Sequence, residues 1–385
     1  MNGAPAVEAS RLRDLHERAG AVFATVGGAE RARHYGDPAG EYAAAVAGTA
    51  VVDRGHLRWL AVSGREPGRM LAGLITGRVP APLVDEGPDV RRGRAEPSAL
   101  LTARGRMITD LRVLRAASAG SPEEAFLLGL PPEGLAGASE HFRKFLPPRL
   151  AAVEDVSRDV LTLTVLGPGA ARLSSRDALG LRMGADEIDA MAEGDLARVS
   201  VGGGGAVTVV RTADVAAPAW DLVTDPGTAR ALWSVLVDGG ARPTGTGVWE
   251  TLRVEAGRPA YGADMDERTI PIEAGIHRRV VDYGKGCFTG QEVIVRIRDR
   301  GHVNRHLRGL RLGDLPAPRT GTELFRPPAE RPVGKLTSVA QSPRFGGVIA
   351  LGWVRREVEP PAELRVGSPD GPPASVHDLD VDWRP

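Results

Sequence analysis

The chain has 385 residues, 42% of them hydrophobic and 25% charged, with a formal net charge of zero. That length accommodates two or three domains, and the charge balance excludes bulk attraction to nucleic acid or to an acidic membrane. A single cysteine excludes an internal disulfide framework, and no apolar run reaches the ~20 residues of a membrane-spanning helix.

Residues 1–33 are rich in Ala, Arg and Glu and read as a helix over 7–18 followed by a loose lead-in. Residues 1–10 lack a basic stretch followed by an apolar core, so no secretory leader is expected and the cytoplasm is the expected compartment. A helix follows within 35–48. Residues 50–52 and 57–62 read as strands around the turn Asp53-Arg54-Gly55-His56. Residues 65–77 read as a helix and 80–97 as a polar loop. A hairpin of 99–101 and 107–114 turns at Ala103-Arg104-Gly105-Arg106. A strand over 125–130 and a helix over 136–145, stopped by Pro147 and Pro148, complete this part.

A second α/β stretch holds strands at 160–166, 197–201, 206–211 and 220–223, helices at 169–178 and 227–238, and a short acidic piece at 186–192. Gly202 to Gly205 lack the Lys-Ser/Thr ending and the following helix of a phosphate loop, so they read as a hairpin turn. Residues 248–256 are a helix or an extended segment. After Asp314, prolines punctuate β-like runs at 307–312, 333–339, 348–354 and 364–366, the pattern of a small barrel or sandwich. The whole favours α+β over a doubly wound sheet.

The most distinctive stretch is Lys285-Gly286-Cys287-Phe288-Thr289-Gly290-Gln291-Glu292, which holds the only cysteine and one of only three lysines. Its glycines mark a shaped turn, and Val293, Ile294, Val295 and Ile297 read as a strand leaving it. A thiol, an ammonium, an amide and a carboxylate in one turn form a candidate site. Lys285 supplies the positive charge that suits a reactive cysteine, and the alternative is a tight turn around an inert, buried thiol. Upstream, Arg253 and Glu255 face one side if their segment is a strand, where they could pair. His302 and His306 are four apart, which suits a metal only on a helix; no metal site is expected in their β context. One cysteine cannot furnish the usual thiolate set of an iron–sulfur cluster, so any cluster would be transient or shared.

This string resembles the signature of the folate-binding YgfZ family, a branch of the glycine-cleavage T-protein (aminomethyltransferase) superfamily. Further resemblance lies in Leu252-Arg253-Val254-Glu255-Ala256-Gly257, in Tyr261-Gly262-Ala263-Asp264, and in residues 269–275, 301–310, 333–338 and 349–352. Residues 105–111 resemble the hairpin that carries the T-protein's functional aspartate, here Asp110. The resemblance covers about residues 35–385. It implies an α+β fold of three modules in a ring around a channel for tetrahydrofolate. The implied division is a lead-in over 1–33, two interleaved modules over 34–300 and a β-barrel over 301–385.

The resemblance also implies roles. Asp110, Cys287 and Lys285 would be catalytic, and Asp110, Trp249, Arg253 and Tyr261 would bind folate. Lys285, Gly286, Cys287, Phe288, Gly290, Gln291 and Glu292 form the signature. Ala217 stands where the T-protein has its pterin-holding glutamate, and Trp249 where it has an arginine, so weaker folate binding is expected. Asp214 and Asp221 are the carboxylates nearest that gap in sequence. The implied function is a folate-binding accessory protein that supports assembly or repair of iron–sulfur enzymes, in a family also linked to tRNA modification. Its partners would be iron–sulfur client or assembly proteins, with no stable nucleic-acid binding and no membrane. The alternative is a tetrahydrofolate-dependent aminomethyltransferase or demethylase.

Overall fold

Runs of Val, Leu and Ala separated by turn residues build three β-systems. The computed structural model describes residues 8–116, 124–175, 179–201, 205–328 and 330–385. An antiparallel sheet of five strands runs in the order Ala152–Asp155, Arg58–Gly64, Glu124–Leu130, Met107–Ala116, Glu96–Leu101. A sheet of eight runs Arg242–Pro243, Ala50–Asp53, Leu161–Leu166, Ala219–Thr224, Ala206–Thr212, Asp195–Ser200, Val90–Arg94, Val84–Asp85, and only its first pair is parallel. A closed barrel of six strands, Arg305–Gly313 to Pro373–His377, forms the C-terminal part. The fold is therefore α+β with a terminal barrel.

The chain threads the first two sheets alternately. Ala50–Asp53 lies in the larger sheet, Arg58–Gly64 in the smaller, Val90–Arg94 in the larger again, and Glu96–Leu101 back in the smaller. Each sheet has its own core. Trp233 and Leu236 of the helix Pro226–Asp238 pack on the larger sheet with Trp220 and Leu163. Leu71, Phe126 and Phe142 fill the smaller one, and Leu310, Leu336 and Val376 the barrel. A further cluster of Met107, Val254, Phe288, Ile294, Trp353 and Trp383 joins the sheets to the barrel.

Several elements differ from the sequence reading. The start of the expected helix over 7–18 falls partly outside the described residues, and the observed helix is Arg13–Arg18. The expected loose lead-in is a hairpin, Val22–Val26 with Ala29–His34, docked by the buried His16: its Nε2 lies 2.8 Å from Asp53, and its Nδ1 2.8 Å from the Tyr35 hydroxyl. The polar loop at 80–97 contains the edge strand Val84–Asp85 and its neighbour Val90–Arg94, tied by the cross-strand pair Arg91 with Asp85 and by Arg92 with Glu86 just beyond the edge strand. Edge strands tolerate such charge because one side faces water, which removes the apolar alternation. Helix 169–178 is observed as Ala170–Leu173, with 176–178 outside the described residues. The strands flanking the glycine run pair as a hairpin, and 202–204 lie outside the described residues.

The segment carrying Arg253 and Glu255 is the helix Thr246–Glu255. Residues two apart diverge on a helix. Arg253 accordingly pairs with Glu250 and Asp264, while Glu255 accepts hydrogen bonds from Tyr42 and Ser342. The expected strand after the signature is also a helix, Gln291–Arg300. Of its β-branched residues only Ile294 is buried. Glu292 in the first turn and Arg298 and Arg300 in the last complement the helix dipole.

Candidate functional site

The sheets and the connecting segments enclose a cavity of about 590 Å³. The strand Met107–Ala116 brings Asp110 and Arg112 to it, and the turn after Ala50–Asp53 brings Arg54 and His56. The helix Thr246–Glu255 contributes Trp249, Glu250 and Arg253, the following loop Arg258 and Tyr261, and the N-terminal hairpin Val26 and Arg31. Asp110, Trp249, Arg253 and Tyr261, far apart in sequence, thus line one cavity. A second cavity of about 500 Å³ opens toward the barrel, lined by His306, Leu307 and Arg308 together with His277 and the tail residues Asp378 and Asp380. Asp110, Arg258, Pro259, Arg279 and Val280 line both. The three β-systems therefore surround two cavities that share one wall.

Asp110 faces Ala99 across the strand pair and is half-buried. Its Oδ1 is shielded from solvent and takes no hydrogen bond among the described residues. Burial disfavours the charged carboxylate and pushes its pKa up to about 6; Asp214 adds to this, while Arg279 and Arg112 oppose it. Tyr261 is also raised, to about 12, by burial first and by its acidic neighbours second.

The nearby acids are already engaged. Arg112 donates to Asp221 at 2.5 Å and to Asp214 at 2.8 Å, and Arg279 donates to the other oxygen of Asp214 at 2.7 Å. Asp221 also accepts from Thr164 at 2.6 Å. Burial alone would raise Asp214, but Arg279 and Arg112 hold it well below the usual carboxylate range. Both acids are thus spent on arginines, and Ala217 packs against the hydrophobic cluster that contains Val215 and Trp249.

The opposite balance holds at Arg54. Its guanidinium lies 3.7 Å from the Trp249 ring centroid, and its Nε and Nη1 are shielded from solvent without a hydrogen-bond partner among the described residues. Burial lowers its pKa. His56 beside it is held well below its usual value by burial and by Arg31, Arg54 and Arg58, so it is a neutral imidazole. Arg31 Nε likewise lacks a partner among the described residues. Trp249 is buried under Arg54 and belongs to a hydrophobic cluster, so that face of its ring is taken. Arg253 is spent on structure: it donates to Asp264, Glu250, Ser338 Oγ and the Arg258 carbonyl.

None of the seven signature residues lines either cavity. Lys285 Nζ donates to the carbonyls of Ile75 at 2.6 Å and Gly77 at 2.8 Å, and burial lowers its pKa to about 8. The Thr289 N–H donates to the Gly73 carbonyl, and Phe288 is buried. Gly290 has a φ of +85°, and a Cβ there would lie 2.6 Å from the Thr102 carbonyl. The loop is pinned to the smaller sheet, with Gly286 and Cys287 exposed. Sequence reasoning missed Arg31, Arg54, Arg112 and Arg279. The turn Asp53-Arg54-Gly55-His56 between two apolar strands was the available signal for Arg54; nothing local marks the others. Among the described residues no group of three or more His, Cys, Asp or Glu is placed to hold a metal ion, and no helix is long and apolar enough to cross a membrane.

Two interleaved sheets and a barrel around two adjoining cavities define a three-module protein of the α+β class. Its family follows from comparison with known proteins. The GCVT N-terminal domain matches residues 12–284 and the glycine cleavage T-protein C-terminal barrel domain matches 305–376, and the chain belongs to this T-protein family. The signature loop and its helix lie between the two matched segments. The chain is 28% identical over 364 residues to an aminomethyltransferase of Saccharopolyspora erythraea, covering 92% of each. It is 28% identical over 348 residues to one of Rubrobacter xylanophilus, covering 90% of this chain and 87% of that one. The glycine cleavage system aminomethyltransferase T from Bartonella henselae has the same fold, with a TM-score of 0.82 at 23% identity over 98% of this chain and 99% of that chain.

Proposed function

We propose that the cavity holds a reduced folate and that the protein transfers a one-carbon unit, as a tetrahydrofolate-dependent aminomethyltransferase or demethylase. The observation that carries this is Asp110, a half-buried acid with an unpartnered oxygen on the wall shared by the two cavities. The relatives with near-full coverage named aminomethyltransferase favour this reading over the accessory role implied by the signature. The donor set suits the ligand. The cavity's volume lies within the ordinary range for a cofactor-sized molecule. Asp110 would accept from ring N–H groups, and Arg54, Arg31 and neutral His56 offer donors to the glutamate carboxylates. Bound folate supplies the nitrogens that carry the one-carbon unit. With a pKa of about 6, Asp110 holds or yields a proton near neutral pH, and Tyr261 stays protonated as a donor.

The second reading is the YgfZ-type accessory factor, acting in the cytoplasm with iron–sulfur client or assembly proteins. Cys287 favours it, being exposed on a pinned loop away from both cavities. Calorimetry with tetrahydrofolate, a one-carbon transfer assay, and rescue of iron–sulfur enzyme activity in a strain lacking the protein separate the two readings. Loss of transfer in Asp110→Asn supports the transferase. No transfer by wild type, with rescue lost in Cys287→Ser while folate still binds, supports the accessory factor.

A further inference from the structure

On the outer wall of the barrel the strand Pro373–His377 alternates, with Ala374 and Val376 in the core and Ser375 and His377 outside. Ser375 Oγ lies 2.9 Å from His377 Nε2. His377 Nδ1 lies 3.1 Å from Asp382 Oδ2. The other Asp382 oxygen accepts the Asp378 N–H at 2.6 Å, which orients the carboxylate. A carboxylate only accepts here, so Nδ1 carries the proton and Nε2 is left to accept from the serine. This is the nucleophile, base and orienting-acid arrangement of acyl transfer, which is defined by geometry and not by chain order.

The surroundings complete a site. Arg311 is the cross-strand partner of Ser375 and so shares its face, with Cβ atoms typically about 4.5–5.5 Å apart in such pairs. Its guanidinium lies over the Phe345 ring and donates through Nη2 to the Arg384 carbonyl, and its solvent-shielded Nε has no hydrogen-bond partner among the described residues, so it offers the site a fixed positive charge. Gly309 stands opposite His377, and a Cβ there would collide with the Trp383 ring, so the glycine leaves a shelf on which the indole lies beside the imidazole. Phe345 stacks on Trp383 at 4.8 Å between centroids; the indole is buried, so the half-buried Phe345 is the part of this apolar surface open to a ligand. We infer that Ser375, His377 and Asp382 form a second site, a serine esterase centre for carboxylic esters with an apolar acyl or aryl group.

In the first step Ser375 Oγ bonds to the ester carbonyl carbon while its proton passes to His377 Nε2. The carbonyl oxygen, negative in the tetrahedral intermediate, is stabilised by Arg311. The bond to the alcohol oxygen then breaks, and the alcohol leaves with the proton from Nε2. Water adds to the acyl carbon, giving a proton to Nε2, and Ser375 Oγ leaves with it as the acid is released. A simple latch for the C-terminal tail needs only His377 and Asp382; the exposed Ser375 adds nothing to it.

The test uses the full chain, a fluorophosphonate probe and p-nitrophenyl acetate. Wild type should take one equivalent of probe on Ser375, located by peptide mass spectrometry, with phosphorus–fluorine cleavage and release of fluoride. Ser375→Ala should abolish labelling and lower ester turnover at least tenfold. His377→Gln should slow labelling at least tenfold with an unchanged circular dichroism spectrum, and Asp110→Asn should label as wild type. No adduct on Ser375, or ester turnover unchanged in Ser375→Ala, would overturn the inference.

Discussion

Asp110 and Arg54 both line the cavity with buried charged-group atoms that find no hydrogen-bond partner among the described residues, and each carries a stability cost that points to a ligand. Asp110 has an ordinary unfolded pKa and a folded one of about 6. Between those values the folded state binds more protons than the unfolded, so stability falls as pH rises through that window. At about 1.4 kcal/mol per pKa unit, discounted for partial exposure, burying the charge costs about 1–3 kcal/mol at neutral pH. Asp110→Asn should therefore be more stable than wild type at pH 7.5 by about that amount, and the gain should vanish below pH 4; urea denaturation at both pH values measures it. The same variant should lose roughly 10²–10⁴-fold in one-carbon transfer, the usual worth of a positioned acid or base. Arg54→Met keeps a long chain on Trp249 and removes a cation whose Nε and Nη1 find no hydrogen-bond partner among the described residues. It should raise the melting temperature of the ligand-free protein while weakening tetrahydrofolate binding roughly ten- to a hundredfold, the worth of a charge-assisted hydrogen bond of about 1.5–3 kcal/mol. A melting temperature that falls together with affinity would make Arg54 structural. Wild-type affinity should itself be modest, since Ala217 offers no carboxylate and Asp214 and Asp221 are neutralised by Arg112 and Arg279.

The signature loop shows how a residue singled out by sequence can serve an element. Lys285 answers two backbone carbonyls, those of Ile75 and Gly77, that an arginine's larger, planar group fits less readily. Lys285→Met should cost about 2–3 kcal/mol, because the carbonyls lose a charged donor. Cys287→Ser, at an exposed site, should change stability by less than about 0.5 kcal/mol. Thermal or chemical denaturation of the pair decides whether the loop's motif is a strut carrying a free thiol. The same loop marks where sequence reading stops. Val293 to Ile297 were read as a strand from β-branching, yet β-propensity only says that a side chain suits a half-buried pleated surface. Here the αL glycine at 290 starts a helix, and burial of Ile294 against Met107 and the neighbouring core sets its face. The barrel strands, the hairpin around Gly105 and Asp110's place on it were legible because their turns are local. Arg112 and Arg279 were not, because their ion network is made by contacts more than 60 positions apart.

At the scale of the molecule, the threading of one chain through two sheets makes separate unfolding of either one difficult, since strands of each lie between strands of the other in sequence. The barrel is joined to this pair by a buried knot. Asp264 accepts from Arg253 Nη1 at 2.8 Å, from Ser338 Oγ at 2.7 Å, from Thr337 Oγ1 at 2.5 Å and from the Ala260 N–H at 3.0 Å. Arg253 in turn reaches Ser338, so helix, loop and barrel strand share one ionic centre next to the cavity wall. Removing one partner of a buried pair leaves the other uncompensated, which costs about 3–5 kcal/mol. Asp264→Ala should therefore destabilise the whole chain by about that amount, whereas Thr337→Val, which removes only one hydroxyl from the knot, should cost about 1 kcal/mol. The informative quantity is cooperativity. If the knot couples the barrel to the sheets, wild type unfolds in one transition monitored equally by Trp353 and Trp383 in the joining cluster and by far-ultraviolet dichroism, and Asp264→Ala splits it into two. A single transition that merely moves to lower denaturant in Asp264→Ala would assign the coupling to the apolar cluster around Met107, Trp353 and Trp383 instead.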